Sequence, residues 1–210
     1  MPGKINRIRY APYNLDVALK AVEHIGKKLE PNFRLTKDVG PIYEQLIKYM
    51  HADESFNGDL TKGVLLSGAT GTGKTLAMRI MSIYSTIDGI KIVHNQQLYD
   101  IEYCVEHTST CINEFVKNGY EGLEYYRRVR SLCIDDMGSE VEIAKYYGNN
   151  LDVIGYIINE RYLNNLLTFG TTNLSEELLT KKYGERIVSR MHEMFNLVVM
   201  KGNDFRKFKI

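Results

Sequence analysis

Cysteine is scarce in this chain, and neither sign of charge dominates. Cys104, Cys111 and Cys133 are the three cysteines. They are odd in number and lack the close pairing of a zinc site. Reduced thiols in a cytoplasmic protein are the expectation. Lys and Arg number 27 against 26 Asp and Glu, a formal net charge of +1. No global basic field is available to recruit nucleic acid, so any such binding has to come from a local patch. No apolar run reaches the roughly 20 residues that span a bilayer, which argues against a membrane partner. The opening "MPGKINRIRYAPYN" is polar and basic, without the apolar stretch of a secretory signal. Internal repeats and low-complexity tracts are missing as well. What remains is 210 residues, 44% hydrophobic and 25% charged, the make-up of one ordinary globular domain.

Patterning divides the chain near residue 60. Residues 1 to about 13 read as an arm carrying Lys4, Arg7 and Arg9, with Pro2, Gly3 and Pro12 as punctuation. Leu15, Ala18, Leu19, Val22, Ile25 and Leu29 recur at helical spacing between Asn14, a capping residue, and Pro31. A second helix is expected over about 38–51, capped by Thr36 or Asp38. From Lys62 onward, short apolar runs alternate with helical patterns. "GVLLS", "IKIVHN", "SLCIDD", "LLTFGTTN" and "NLVVMKG" read as five strands. Helices are expected over about 73–87, 97–130 with breaks near 107–109 and at Gly119, 150–164, 175–182 and 185–193. "KYYGNN" reads as a mobile loop. This alternation predicts an α/β fold of three layers, a five-stranded parallel sheet covered on both faces.

Between the first strand and its helix lies "GATGTGKT". Gly68, Ala69, Thr70, Gly71, Thr72, Gly73, Lys74 and Thr75 fit G-x-x-x-x-G-K-[ST], and Leu76 continues into the helix. A phosphate cradle needs backbone N–H groups converging on oxygens, hence glycine conformations without obstructing side chains. The following helix offers free N–H groups and the positive end of its dipole. Lys74 is suited to the β- and γ-phosphates and the Thr75 hydroxyl to Mg²⁺. ATP and Mg²⁺ are therefore the expected cofactors.

The third expected strand ends in Asp135 and Asp136. Sites of open α/β sheets form at such carboxyl ends. Adjacent strand residues point to opposite faces, so the two carboxylates should have different tasks. Asp135 is assigned to Mg²⁺ and Asp136 to the attacking water. Asn173, at the end of the fourth strand, either faces the γ-phosphate or caps the helix starting near Ser175. Arg186 and Arg190 lie one helical turn apart, and spacing alone favours ion pairs with Glu185 and Glu193. "YYRRVR", Tyr125 to Arg130, mixes rings and cations, which suits single strands but equally a solvated helix face.

Taken together, "GATGTGKT", "CIDDMG", "TTN" and "GERIVSRM" resemble the AAA+ ATPases, and within them the helicase loaders of the DnaC/IstB type. The resemblance covers Lys62 to about Gly202. It implies a P-loop NTPase fold, ATP hydrolysis, a homo-oligomer with the ATP site shared between subunits, and a replicative helicase and single-stranded DNA as partners. Asn173 looks like the sensor 1 residue. Arg186 looks like the finger that reaches the ATP of the next subunit, with Arg190 the second basic residue of the same box. "KGNDFRKF" looks like the loaders' terminal strand, with Arg206 a poor substitute for a lid arginine. By the same comparison the chain departs in lacking room for a C-terminal helical lid and in having only about sixty residues before the core. An IstB-like transposition helper and a nucleotide-switched adaptor with little turnover are the alternatives. For the adenine pocket, residues near Phe33 and Arg34 are the expectation.

Overall fold

The computed structural model describes residues 6–7, 12–87, 90–94, 97–140 and 143–201, with backbone only for 6–7, 92–94 and 149. The expected contacts of Lys4 and Arg9, and the terminal run with Gly202 and Arg206, lie outside the described residues.

Helix α1 (Leu15–Leu29) starts where the Asn14 side chain accepts the Val17 N–H. It buries Ala18, Val22 and Gly26, a stripe at fourfold spacing, so its apolar face packs inward. Helix α2 (Gly40–Met50) follows, burying Tyr43, Leu46, Ile47, Tyr49 and Met50. Neither Thr36 nor Asp38 caps it. Its cap residue is Val39, with Pro41 in the first turn, where a missing N–H costs nothing.

The core elements then run β2 (Gly63–Ser67), α3 (Lys74–Tyr84), β3 (Lys91–His94), β4 (Gln97–Asp100), β5 (Cys104–His107) and α4 (Thr108–Asn118). A 3₁₀ turn at Glu121–Leu123 leads into α5 (Glu124–Arg128) and β6 (Ser131–Met137). After these come β7 (Ala144–Tyr146), β8 (Asn149–Leu151), α6 (Val153–Leu163), β9 (Leu167–Thr172), α7 (Glu176–Tyr183), α8 (Glu185–Met194) and β10 (Phe195–Val199). A two-residue strand β1 (Asn6–Arg7) pairs antiparallel with β3.

Five parallel strands form the main sheet in the order β10-β2-β9-β6-β5. Its two faces have separate cores, and alternate residues supply them as the pleat requires. Val64, Leu66 and Cys133 join α1, α2 and α3 on one side. Leu65, Leu132 and Ile134 join α4, α6 and α8 on the other. Helix α6 is apolar nearly all round and correspondingly sits deep, with Ile154, Ile157 and Ile158 at 0% exposure.

Three sequence expectations are corrected. "IKIVHN" is a strand, but β3 belongs to a separate antiparallel sheet of order β1-β3-β4. The fifth member of the parallel sheet is β5, inside the stretch 97–107 expected to be helical. Leu98, Ile101 and Val105 fit helical spacing, yet "QLYD" and "CVEH" also alternate, and short runs of this kind satisfy both periods. Pairing with the apolar edge of β6 decides for strand. The expected loop at "KYYGNN" is instead an antiparallel hairpin, β7 with β8.

Candidate functional site

Strand β2 leaves the sheet at Ser67, and the chain turns through Gly68, Gly71 and Gly73 with φ of 155°, 83° and 89°. At Gly68 a β-carbon would lie 2.3 Å from the Met200 carbonyl oxygen, so this position takes no side chain. Gly73 is the left-handed residue from which α3 springs, and no side chain caps that helix. The uncapped amides at its start are those an anion would meet. Lys74 is buried at 5% exposure. Its Nζ donates to the Gly68 and Ala69 carbonyls at 2.7 and 2.8 Å and to Asn173 Oδ1. The Thr72 hydroxyl closes the turn by donating to the Ala69 carbonyl at 2.9 Å. Thr70 is exposed, and Leu76 is half-buried against the core on the sheet side.

The carboxyl ends of β6 and β9 complete the cluster. Thr75 and Thr171 both donate hydroxyls to Asp135 Oδ1, at 2.9 and 2.7 Å. Thr171 Oγ1 in turn accepts the Asp136 N–H at 2.8 Å. Asn173 Nδ2 donates to Asp136 Oδ1 at 2.6 Å while its Oδ1 takes the Lys74 ammonium. The loop, the Asp135–Asp136 pair and Asn173 are thus one continuous hydrogen-bonded network. The helix-cap alternative for Asn173 does not hold, because Ser175 caps α7 by accepting the Leu178 N–H.

Strict strand alternation would have sent Asp135 and Asp136 to opposite faces. Instead, the β6–β9 register shifts between Ile134 and Met137, and Asp136 takes a left-handed φ of 62°. That bulge turns both carboxylates towards the loop. A non-glycine residue in this region costs on the order of 1–2 kcal/mol. Here the Thr171 hydroxyl and the Asn173 amide hold it in place.

One residue of the cluster escaped sequence reasoning. His107 ends β5 and caps α4, its Nδ1 accepting the Ser109 N–H at 3.1 Å. In the neutral ring that bond leaves the proton on Nε2. Nε2 stands 3.8 Å from Asp136 Oδ2. The signal was a polar residue closing a short strand, hidden because that strand was read as helix.

Arg186 lies outside this network. It is exposed in the first turn of α8, with no hydrogen bond or ion pair among the described residues. Arg190 lies over the Tyr162 ring at 5.0 Å, and Glu193 accepts from the Tyr162 hydroxyl. The expected ion pairs with Glu185 and Glu193 are not formed. "YYRRVR" is largely committed within the chain. Arg127 bonds Glu124, Tyr156 and Glu160, Arg128 bonds Glu124, and Arg130 covers the Tyr99 ring at 3.3 Å. Phe33 packs edge-on to Tyr43, and Arg34 donates to the Pro31 and Phe33 carbonyls, so the adenine-pocket expectation gains nothing from their contacts.

Hard oxygen donors from Thr75 and Asp135, 2.9 Å apart, fit the one or two protein ligands Mg²⁺ takes when it keeps its waters. Among the described residues no group of three or more His, Cys, Asp or Glu could hold a metal, and no helix is long and apolar enough to cross a membrane.

A parallel sheet with a glycine-rich turn after β2, acids at the end of β6 and an asparagine after β9 has the P-loop NTPase fold of the AAA+ kind. Solved structures agree. The DnaC helicase loader matches with a TM-score of 0.56 and 25% identity, over 82% of this chain and 96% of that one. DnaI matches at 0.55 and 20% identity, over 84% and 89%. The replication initiator DnaA bound to AMPPCP and single-stranded DNA matches at 0.56 and 17% identity, over 82% of this chain and 49% of that one. No protein-family model matches the sequence, and no curated protein matches it either.

Proposed function

We propose that this chain is an ATP-hydrolysing AAA+ protein of DNA replication that acts as a helicase loader, its ATP state governing its grip on a ring helicase and single-stranded DNA. The observation that carries the reading is the Lys74–Asn173–Asp136 relay. It joins the phosphate loop to the two strand ends that would sense and attack a γ-phosphate. Its likeness to helicase loaders and to an initiator solved with an ATP analogue supports the same reading.

In this account the loop amides and Lys74 bind the triphosphate. Thr75 and Asp135 would hold Mg²⁺, which supplies charge neutralisation at the β- and γ-oxygens. Asp136 orients and deprotonates the attacking water, and Asn173 holds Asp136 while facing the γ-phosphate. His107 positions Asp136 from its other oxygen. Arg186 supplies its guanidinium to the site of a neighbouring copy, because its own site contains no arginine among the contacts described above. The ATP site is therefore complete only in a homo-oligomer.

Two outcomes are expected. Arg186→Ala and Asp136→Asn proteins each bind Mg-ATP but turn it over at less than about a hundredth of the parent rate. Mixed together they recover part of that rate, since some interfaces then pair an intact Asp136 with an intact Arg186. Turnover that stays flat across all mixing ratios removes the finger from Arg186. If Asp136→Asn also releases its partner normally, the nucleotide-switched adaptor replaces the motor.

For His107, whose Nε2 stands 3.8 Å from Asp136 Oδ2, replacement by Ala is expected to lower kcat about tenfold, the low end of the loss seen when a supporting group around a metal site is removed. ATP affinity stays unchanged, and His107→Gln, which keeps a donor, restores most of the rate. Equal kcat in the Ala and Gln variants would show that the ring only caps α4.

A further inference from the structure

The hairpin after the catalytic strand presents a tyrosine to water. Tyr147 is 92% exposed, the most exposed of the large hydrophobic side chains described. It sits in a two-residue turn, Tyr147 and Gly148 with φ of 44° and 84°, between the paired residues Tyr146 and Asn149. Two left-handed residues in succession make the tight turn that suits the twist of a hairpin. Asn or Asp occupies the first of those positions with less strain than a tyrosine does. Among the described residues no packing contact accounts for the ring, which stands edge-on to Tyr146 at 4.8 Å.

The mount is firm. Ala144 is buried, and the Tyr146 ring lies over Gly119, where a β-carbon would meet it at 2.5 Å. Tyr146 also packs on Phe115 at 6.0 Å. Before the hairpin begins, Glu140 pins the chain that leaves β6. Its carboxylate accepts the Gly138 N–H at 2.9 Å and the Tyr183 hydroxyl, and pairs with Lys182 at 3.5 Å. The opposite face of the hairpin carries Lys145 and Asn150, cross-strand partners that are both exposed. From Ile143 to Leu151 the sequence holds that lysine and no acid.

We propose that this hairpin tip binds single-stranded nucleic acid, Tyr147 stacking on a base and Lys145 meeting the adjacent phosphate. An exposed ring with an exposed cation two positions away in the same hairpin, and no acid between them, matches the chemistry of a base and its phosphate and is sequence-tolerant. A protein-docking tip of the same size would be expected to offer an apolar patch, and Lys145 and Asn150 interrupt one. The inference rests on the replication reading above and names a surface for its nucleic-acid partner. It also assigns that contact away from "YYRRVR", whose arginines are engaged internally. Tyr147 follows Asp136 by eleven positions, so the chain that leaves the strand of the water-orienting acid leads on to the nucleic-acid contact.

The test is fluorescence anisotropy of a labelled oligothymidylate with the full chain. Tyr147→Ala should weaken binding about tenfold, while Tyr147→Trp stays within about twofold, since stacking needs only a ring face. Lys145→Ala should reduce the slope of log affinity against log salt by about 0.7, one phosphate contact on a single strand. An oligonucleotide bearing 5-iodouracil should crosslink the parent protein at Tyr147. Unchanged affinity in Tyr147→Ala, a crosslink only elsewhere, or no oligonucleotide binding by the parent protein each overturns the assignment, the last leaving the ring to a protein partner. Mg-ATP affinity measured on the same samples separates the two readings. Tyr147-dependent binding without ATP binding would sink the ATPase and spare the hairpin; ATP binding with an indifferent Tyr147 does the reverse.

Discussion

Replacing Lys74 by alanine is expected to weaken Mg-ATP binding about a hundredfold, since truncating one member of a buried charge pair costs on the order of 3 kcal/mol. The ammonium is buried, and two carbonyls of the loop together with Asn173 hold it at the mouth of the turn. A triphosphate entering the cradle meets a cation that is already desolvated and oriented, so the attraction is not spent on ordering a flexible side chain. Removing it takes away the counter-charge and also loosens Asn173, which then holds Asp136 less firmly. Lys74→Met separates these effects from packing, because it fills the space without donating a hydrogen bond. Both variants should lose calorimetric heat with Mg-ATP while melting within a few degrees of the parent. If either binds Mg-ATP at parental affinity, the loop is a structural turn and the functional reading fails at its root.

The turn between β2 and α3 was legible because its pattern is contiguous: eight neighbouring residues supply glycines, a cation and a hydroxyl, with an apolar strand before and a helix after. The acids ending β6 were legible for a similar reason, since a buried run that stops at two carboxylates marks a strand end. Asn173 was ambiguous between cap and site until Ser175 was seen to take the cap. Other features needed tertiary structure. The shared orientation of Asp135 and Asp136 depends on a register shift against β9, which no local pattern encodes. Strand β5, and His107 with it, depended on pairing with β6, because four residues of mixed polarity satisfy two periodicities. The basic run at Tyr125–Arg130 suggested a partner surface, but its charges find Glu124 and Glu160, the second of them 33 residues from Arg127. Charge composition predicts that a cation exists, not whether the fold has already paired it.

Arg161 shows the same limit more sharply. Nothing in "NERYLNN" distinguishes it from any charge near the end of a helix; in the fold it is at 0% exposure. Its guanidinium donates to the Tyr126, Val129 and Leu167 carbonyls at 2.7, 2.8 and 2.7 Å, and to the Thr168 hydroxyl at 2.9 Å. Those acceptors belong to α5, the turn before β6 and the start of β9, so one side chain ties together the entry points of the two strands that carry Asp135, Asp136 and Asn173. Burial pulls its pKa down to about 9. The folded pKa therefore lies below the unfolded one, and the charge disfavours the fold by a constant amount wherever both states are protonated, including pH 7. Four hydrogen bonds to a charged donor offset that cost. Arg161→Met should abolish them and strand three buried carbonyls, destabilising the protein by about 3–5 kcal/mol, out of a total that is typically 5–15. Arg161→Lys keeps the charge, reaches fewer of the oxygens, and should fall in between. Urea midpoints measure both. In the cold, where the Met variant is still folded, Mg-ATP affinity should stay near the parent value, because the loop and Lys74 lie at the opposite ends of the strands. A Met variant as stable as the parent would mean that the carbonyls find other partners and that the guanidinium ties nothing together.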